Sequence, residues 1–124
     1  MLQKISVHNY ALIDELHLDF DQGLTIITGE TGAGKSILLG ALQLLLGERA
    51  DTSVLLDTGR KCIIEGIFKT DKLNLTEFFL KHDLDEENLC ILRREINAKG
   101  KSRAFVNDTP VNLSQLKELG GQLV

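Results

Sequence analysis

The sequence has little proline, few aromatic residues and no tryptophan. Only one of its 124 residues is proline and 5% are aromatic, whereas 43% are apolar and 26% are charged. This composition excludes a disordered or low-complexity chain and provides enough apolar side chains for a hydrophobic core. The length predicts one domain.

The sequence also lacks signals for membranes and export. It contains no run of about 18 apolar residues, the length that a membrane-spanning helix needs. Its first residues, Met1 to Ile5, lack the apolar stretch of a signal peptide. Cys62 and Cys90 form no C-x-x-C pair, as is typical of reduced thiols. We therefore expect a cytoplasmic protein without a membrane partner.

The histidines show no spacing typical of metal ligands. His8, His17 and His82 are scattered along the chain and belong to no Cys/His motif. We interpret them as surface or packing residues.

The net charge of −4 is unfavourable for a stand-alone nucleic-acid binder. The segment 93–103 differs from the rest of the chain, because it contains five basic residues and only one acidic residue, Glu95. The basic residues of this segment are Arg93, Arg94, Lys99, Lys101 and Arg103. They form either a surface that contacts phosphates or a solvated hairpin whose charges protect edge strands.

Residues 29–36 match the phosphate-binding pattern G-x-x-x-x-G-K-[ST] at every fixed position. The eight residues are Gly29, Glu30, Thr31, Gly32, Ala33, Gly34, Lys35 and Ser36. Glycines let backbone N–H groups surround a polyphosphate, and the following helix directs its positive end at the anion. The sequence therefore predicts a nucleotide site in this loop.

Two side chains of the loop carry specific chemistry. Lys35 can reach the β- and γ-phosphates, and the Ser36 hydroxyl can coordinate Mg²⁺. Glu30 would repel phosphates if it faced them, so we expect it to point outward.

The segments flanking the loop support this prediction. Leu24 to Thr28 is a β-branched run typical of a buried strand. Ile37 to Leu46 is apolar nearly all round and predicts a buried helix, which Gly47 ends.

The remaining pattern predicts short strands and helices, and hence an α/β fold. Ile5 and Val7 alternate with polar residues and predict one strand. Leu16, Leu18 and Phe20 alternate in the same way and predict a second strand. The other predicted elements are strands at 62–68, 89–96 and 102–106, helices at 75–82 and 114–119, and turns at 21–23, 97–100 and Pro110. Leu123 and Val124 follow two glycines and suggest the start of another strand, so we expect a fragment.

A second acidic site, which nucleotide hydrolases need for Mg²⁺ and water, is not evident. The best candidate is Asp57, after the short apolar run Val54 to Leu56, and we interpret it as part of a turn. Without this site, the chain should bind a nucleotide better than it hydrolyses one.

Other classes of P-loop protein fit less well. A small-molecule kinase usually has its loop after the first strand, whereas here two strands precede the loop. A GTPase would need an N-K-x-D motif, which this sequence lacks. A stand-alone kinase and a nucleic-acid-binding module built on the 93–103 hairpin remain alternatives.

Several segments together resemble the N-terminal part of the RecN family, which comprises SMC-like ABC ATPases of bacterial DNA repair. The resemblance extends from Met1 to Val124. It rests on residues 9–14 (NYALID), 23–36 including the loop, 45–50 (LLGERA), 92–96 (LRREI), 100–103 (GKSR) and 105–107 (FVN).

This resemblance implies that residues 1–124 are the N-terminal lobe of an ATPase head, with mixed, largely antiparallel strands around a buried P-loop helix. A glutamine loop and a coiled coil would follow, and a C-terminal lobe would supply the signature motif and the Walker B acids. Two such heads would sandwich ATP and Mg²⁺, and the full protein would act on DNA double-strand breaks.

The chain departs from the family at two positions and leaves one role open. Relatives often have Arg in place of Asp57, and Asn-Gly in place of Asn107-Asp108. Asp tolerates turn geometry, so the second change is mild. Tyr10 matches an aromatic position near the nucleotide, but a core aromatic explains it equally well.

Overall fold

A computed structural model describes residues 2–19, 31–49, 54–69, 76–82 and 89–123. The predicted strand Leu24–Thr28, the turn at 21–23 and the loop residues Gly29 and Glu30 lie outside these ranges. The described elements are β1 (Leu2–Tyr10), β2 (Ile13–Asp19), α1 (Thr31–Leu45), β3 (Cys62–Lys69), α2 (Thr76–Lys81), β4 (Leu89–Ile96), β5 (Ser102–Val106), β6 (Thr109–Val111) and α3 (Leu113–Leu123).

The strands form one six-stranded sheet in the order β2-β1-β3-β4-β5-β6, and each neighbouring pair is antiparallel. Alternate residues of β1, β3 and β4 are buried, including Val7, Ile64 and Leu92. They form one core with Leu45 of α1 and Leu116 of α3. The predicted α/β fold with largely antiparallel strands is therefore confirmed.

Helix α1 begins at Thr31, inside the phosphate-binding motif and before the predicted start at Ile37. Gly47 ends it as predicted, with a φ of 106°. The Gly47 N–H donates to the Leu44 carbonyl and the Glu48 N–H to the Gln43 carbonyl, which is a Schellman motif.

The burial of α1 is more one-sided than its composition suggested. Ala41, Leu44 and Leu45 are buried against the sheet, whereas Leu39 is 57% exposed. The reason is that the described elements cover only one side of this apolar helix.

Two turns connect the last three strands. At the first, predicted at 97–100, the Asn97 side-chain oxygen accepts hydrogen bonds from the N–H groups of Lys99 and Lys101. At the second, Asn107 and Asp108 have φ values of 48° and 69°, which fit a type I′ hairpin turn.

The predicted turn at Pro110 is wrong, because Pro110 lies in β6 opposite Phe105. Val106 and Thr109 flank the two-residue turn and form a hydrogen-bonded pair. Because such pairs alternate along an antiparallel ladder, the next pair, Phe105 and Pro110, exchanges no hydrogen bonds. The proline nitrogen therefore points away from β5, and β6 is a sheet edge where proline is tolerated.

Helix α3 is longer than predicted. It begins with a reciprocal cap between Asn112 and Gln115, and it continues through Gly120 and Gly121 to Leu123. A Cβ on Gly120 would lie 3.0 Å from the Leu46 carbonyl oxygen, so this glycine permits close packing on the end of α1. The predicted strand at Leu123 is therefore wrong.

No helix in the described ranges is long and apolar enough to cross a membrane.

Candidate nucleotide-binding site

The start of α1 contains most of the phosphate-binding motif. The first six residues of α1 are Thr31 to Ser36. The first four N–H groups of an α-helix have no partner within the helix, and the helix dipole makes this end positive. The backbone of the motif is therefore suited to a polyphosphate, while the roles of the Lys35 and Ser36 side chains stay predictions.

A buried arginine holds the opposite end of α1. Arg94 of β4 is fully buried, and its Nη1 donates to the carbonyl oxygens of Leu44 and Glu48, each at 2.7 Å. Its Nε donates to the Ser102 hydroxyl at 2.7 Å. Desolvation by burial lowers the pKa of Arg94. A cation at the helix C-terminus complements the dipole, so Arg94 ties α1 to the sheet.

The sequence placed Arg94 in a surface basic segment, and the structure corrects this. β4 alternates strictly, so Cys90, Leu92 and Ile96 face the core together with Arg94. This alternation was visible in the sequence and could have identified Arg94 as an inward residue.

Tyr10 also contacts the helix that carries the motif. A Cβ on Gly40 would collide with the Tyr10 hydroxyl, so the ring lies directly against α1. Desolvation by burial raises the pKa of Tyr10. These contacts agree with a packing role.

The segment containing Asp57 is a turn, as interpreted from the sequence. Asn9 is buried, and its side-chain nitrogen donates to the carbonyl oxygens of Asp57 and Arg60. The Asp57 carboxylate accepts from the Gly59 N–H at 2.8 Å and from Arg60 Nε at 3.2 Å, and these bonds lower its pKa. Arg60 also pairs with Asp14 at 2.6 Å. Asp57 is thus engaged in local structure.

The basic segment divides into three parts. Arg94 is buried, and Arg93 pairs with Glu95 and Asp108 and lies 4.2 Å from the centre of the Phe105 ring. The exposed cations that remain are Lys99, Lys101 and Arg103. A shallow pocket beside them is lined by Lys61, Glu95, Asn97, Lys101 and Arg103.

The sequence matches a known family over most of its length. A family model described as an AAA domain covers residues 4–120. The chain belongs to this family. Within the AAA domain family, its full length is similar to DNA repair protein RecN of several bacteria. The identity is 41% for Haemophilus influenzae, 45% for Vibrio cholerae and 36% for Bacillus subtilis. The resemblance to RecN is therefore confirmed.

The chain spans less than a quarter of these relatives. It covers 23% of the Haemophilus influenzae and Vibrio cholerae proteins and 22% of the Bacillus subtilis protein.

Solved structures with the same fold include Smc head domains and the recombination mediator protein RecF. The Smc head domain from Pyrococcus furiosus with an extended coiled coil, bound to the C-terminal domain of ScpA, has a TM-score of 0.76 at 16% identity. The alignment covers 98% of this chain and 33% of that one. The recombination mediator protein RecF with ATP has a TM-score of 0.63 at 20% identity, over 90% of this chain and 27% of that one. The predicted P-loop head fold is thus confirmed.

Proposed function

We propose that residues 1–124 form the ATP-binding lobe of an SMC-like ATPase that acts in DNA double-strand break repair and recombination. The observation that carries this proposal is the phosphate-binding motif, which is complete in the sequence at residues 29–36 and whose residues 31–36 begin α1. Its setting is a head fold of the SMC type, in a chain similar to RecN.

Each part of the loop has a task in binding ATP. The free N–H groups at the start of α1 face the β- and γ-phosphates, and the positive end of the helix favours their charge. Lys35 neutralises phosphate charge, and Ser36 provides a hydroxyl ligand for Mg²⁺. Gly29, Gly32 and Gly34 allow the backbone to approach the phosphates closely.

Hydrolysis requires groups from elsewhere in the protein. Asp57 lies in an exposed turn and is held by Gly59 and Arg60, so it is unsuited to hold a metal-bound water. The relatives are more than four times longer than this chain. We place the missing acids in a C-terminal lobe of the same protein, and the remaining contacts to ATP in a second head.

We also propose that the full protein binds DNA and works at the bacterial nucleoid in the cytoplasm. Within residues 93–103, the cations available to phosphates are Lys99, Lys101 and Arg103, because Arg94 is buried and Arg93 is paired with acids. This small set and the net charge of −4 favour an ATP-binding lobe over an independent nucleic-acid-binding module.

The test is ATP turnover by the full-length protein that contains this lobe. Lys35→Ala should lower turnover by about 10²–10³-fold, because it removes a charge that stabilises the transferring phosphoryl group. Lys99→Ala is the matched control, since Lys99 is an exposed lysine in the 97–100 turn. Unchanged turnover in Lys35→Ala would reject the proposal.

A further inference from the structure

The outward face of the β1–β2 hairpin brings together residues that are far apart in the sequence. The register pairs His8 with Glu15 and Ser6 with His17. Ile5 and Val7 alternate with these residues and are buried, so the face that carries Ser6 and His8 points away from the core.

Three potential metal ligands meet on this face. One ligand atom each from His8, Glu15 and His17 lies within 4.8 Å of the other two. His17 Nε2 is 2.8 Å from Glu15 Oε1, and the two imidazole centroids are 5.3 Å apart. A tetrahedral Zn²⁺ site with bonds of about 2.1 Å places ligand atoms about 3.4 Å apart. Rotation of these partly or fully exposed side chains can therefore close the site without moving the strands.

We propose that His8, Glu15 and His17 form a binding site for a divalent transition-metal ion of the Zn²⁺ class. Two imidazoles and one carboxylate are ligands that Zn²⁺ accepts, with the fourth position open to water. The site is separate from the ATP and Mg²⁺ chemistry of the loop and does not depend on the proposed function.

Ser6 supplies a contact that such a site needs. Its hydroxyl lies 3.0 Å from His17 Nδ1, the ring nitrogen that does not face Glu15. When Nε2 binds a metal, Nδ1 carries the proton and donates it to the Ser6 oxygen, which fixes the ring orientation. Without metal, the His17 ring instead shares its hydrogen bonds between Glu15 and Ser6.

Glu15 is available as an anionic ligand. A glutamate carboxyl group is normally ionised at neutral pH, and one oxygen of Glu15 lies 2.8 Å from His17 Nε2. The His17–Glu15 pair is largely exposed, with both side chains 59% accessible, and such pairs are weak. Little stability is therefore lost when this ion pair is replaced by bonds from both side chains to a metal ion.

The experiment is a titration of the tag-free protein with Zn²⁺, by calorimetry and by competition with a chromogenic chelator. We expect one Zn²⁺ per chain. His8→Ala, Glu15→Gln and His17→Ala should each weaken binding at least tenfold, and Ser6→Ala should weaken it by about tenfold. Circular dichroism of each variant checks that the fold is retained.

His82→Gln is the matched control, because His82 contacts Gln115 and Glu118 of α3 and lies outside the hairpin. It should bind Zn²⁺ like the unaltered protein. The proposal is overturned if the unaltered protein does not bind Zn²⁺. It is also overturned if the hairpin variants bind as tightly as the unaltered protein, or if only His82→Gln loses binding.

Discussion

At the scale of single residues, Arg94 is a fully buried cation whose hydrogen bonds go to neutral oxygens. Its partners are the Ser102 hydroxyl and the carbonyl groups of Leu44 and Glu48. Those carbonyls lie at the end of α1, where a helix has acceptors without partners and a partial negative charge. One side chain thus gives the Leu44 carbonyl a second donor beside the Gly47 N–H, and it also donates to the Glu48 carbonyl and the Ser102 hydroxyl.

Replacing Arg94 should be costly for stability. We expect Arg94→Met to lower the free energy of unfolding by about 2–4 kcal/mol, since it removes three charge-assisted hydrogen bonds that join β4 to the end of α1 and to β5. Arg94→Lys should also be destabilising, because one ammonium group cannot reproduce the planar arrangement of donors. Urea denaturation measures both effects.

Arg103→Met is the control for this change. Arg103 is exposed on the same hairpin, so its replacement should alter stability by about 0.5 kcal/mol or less. Equal effects at positions 94 and 103 would show that the buried contacts of Arg94 do not stabilise α1.

At the scale of elements, two glycines with left-handed backbone differ in their surroundings. Gly47 has a φ of 106°, and a Cβ there would lie 2.9 Å from the Lys117 backbone in α3. Gly100 has a φ of 83°, but nothing lies within 4 Å of its Cβ position. Gly47 therefore allows both a left-handed backbone conformation and a close contact between α1 and α3.

This difference predicts unequal effects of alanine. Gly100→Ala should lower the free energy of unfolding by about 1–2 kcal/mol, because of backbone strain alone. Gly47→Ala should lower the free energy of unfolding by about 3 kcal/mol or more, since a clash with the backbone of α3 adds to the strain. Thermal or urea unfolding of the two variants checks the order. Equal destabilisation would mean that α3 does not pack on Gly47 as described.

Local elements were largely predictable because their signals are local. Alternation identified β1 and β2, and the bounds of β4 and β5 were predicted correctly. Pro110 was misassigned because proline in a turn and proline on an edge strand look alike in sequence. The pairing of Val106 with Thr109 decides between them, and it depends on the turn at Asn107 and Asp108.

The His8–Glu15–His17 group shows what linear spacing omits. The two histidines are nine positions apart in the sequence, a spacing that matches no metal-ligand motif. They meet because β1 and β2 pair around a tight turn, with Tyr10 opposite Ile13. Only the register makes this cluster visible.

At the scale of the whole molecule, the sheet order could not be derived from composition or periodicity. β1 lies between β2 and β3 although α1 separates the last two in sequence. Such pairings depend on contacts between distant segments, which local patterns do not encode. The resemblance to SMC-like heads supplied the architecture that residue patterns alone left open.

The position of the phosphate-binding motif was predictable from the sequence, but the contacts that hold its helix were not. The motif at residues 29–36 was evident from sequence, and the structure places residues 31–36 at the start of α1. The contacts that hold this helix come from Tyr10 of β1, Arg94 of β4 and Lys117 of α3, and they became visible only in the fold. Leu39 on the other side of α1 stays exposed.

The most direct test of the central claim is ATP binding by the 124-residue chain itself. A fluorescent ATP analogue titrated in the presence of Mg²⁺ should bind at one site per chain, and unlabelled ATP should compete. Lys35→Ala should weaken binding at least about tenfold, as expected for loss of a charge-assisted contact worth about 1.5–3 kcal/mol. Lys99→Ala should bind as the unaltered chain does. Equal affinity of the Lys35→Ala and unaltered chains for ATP would contradict the assignment of residues 29–36 as the nucleotide site.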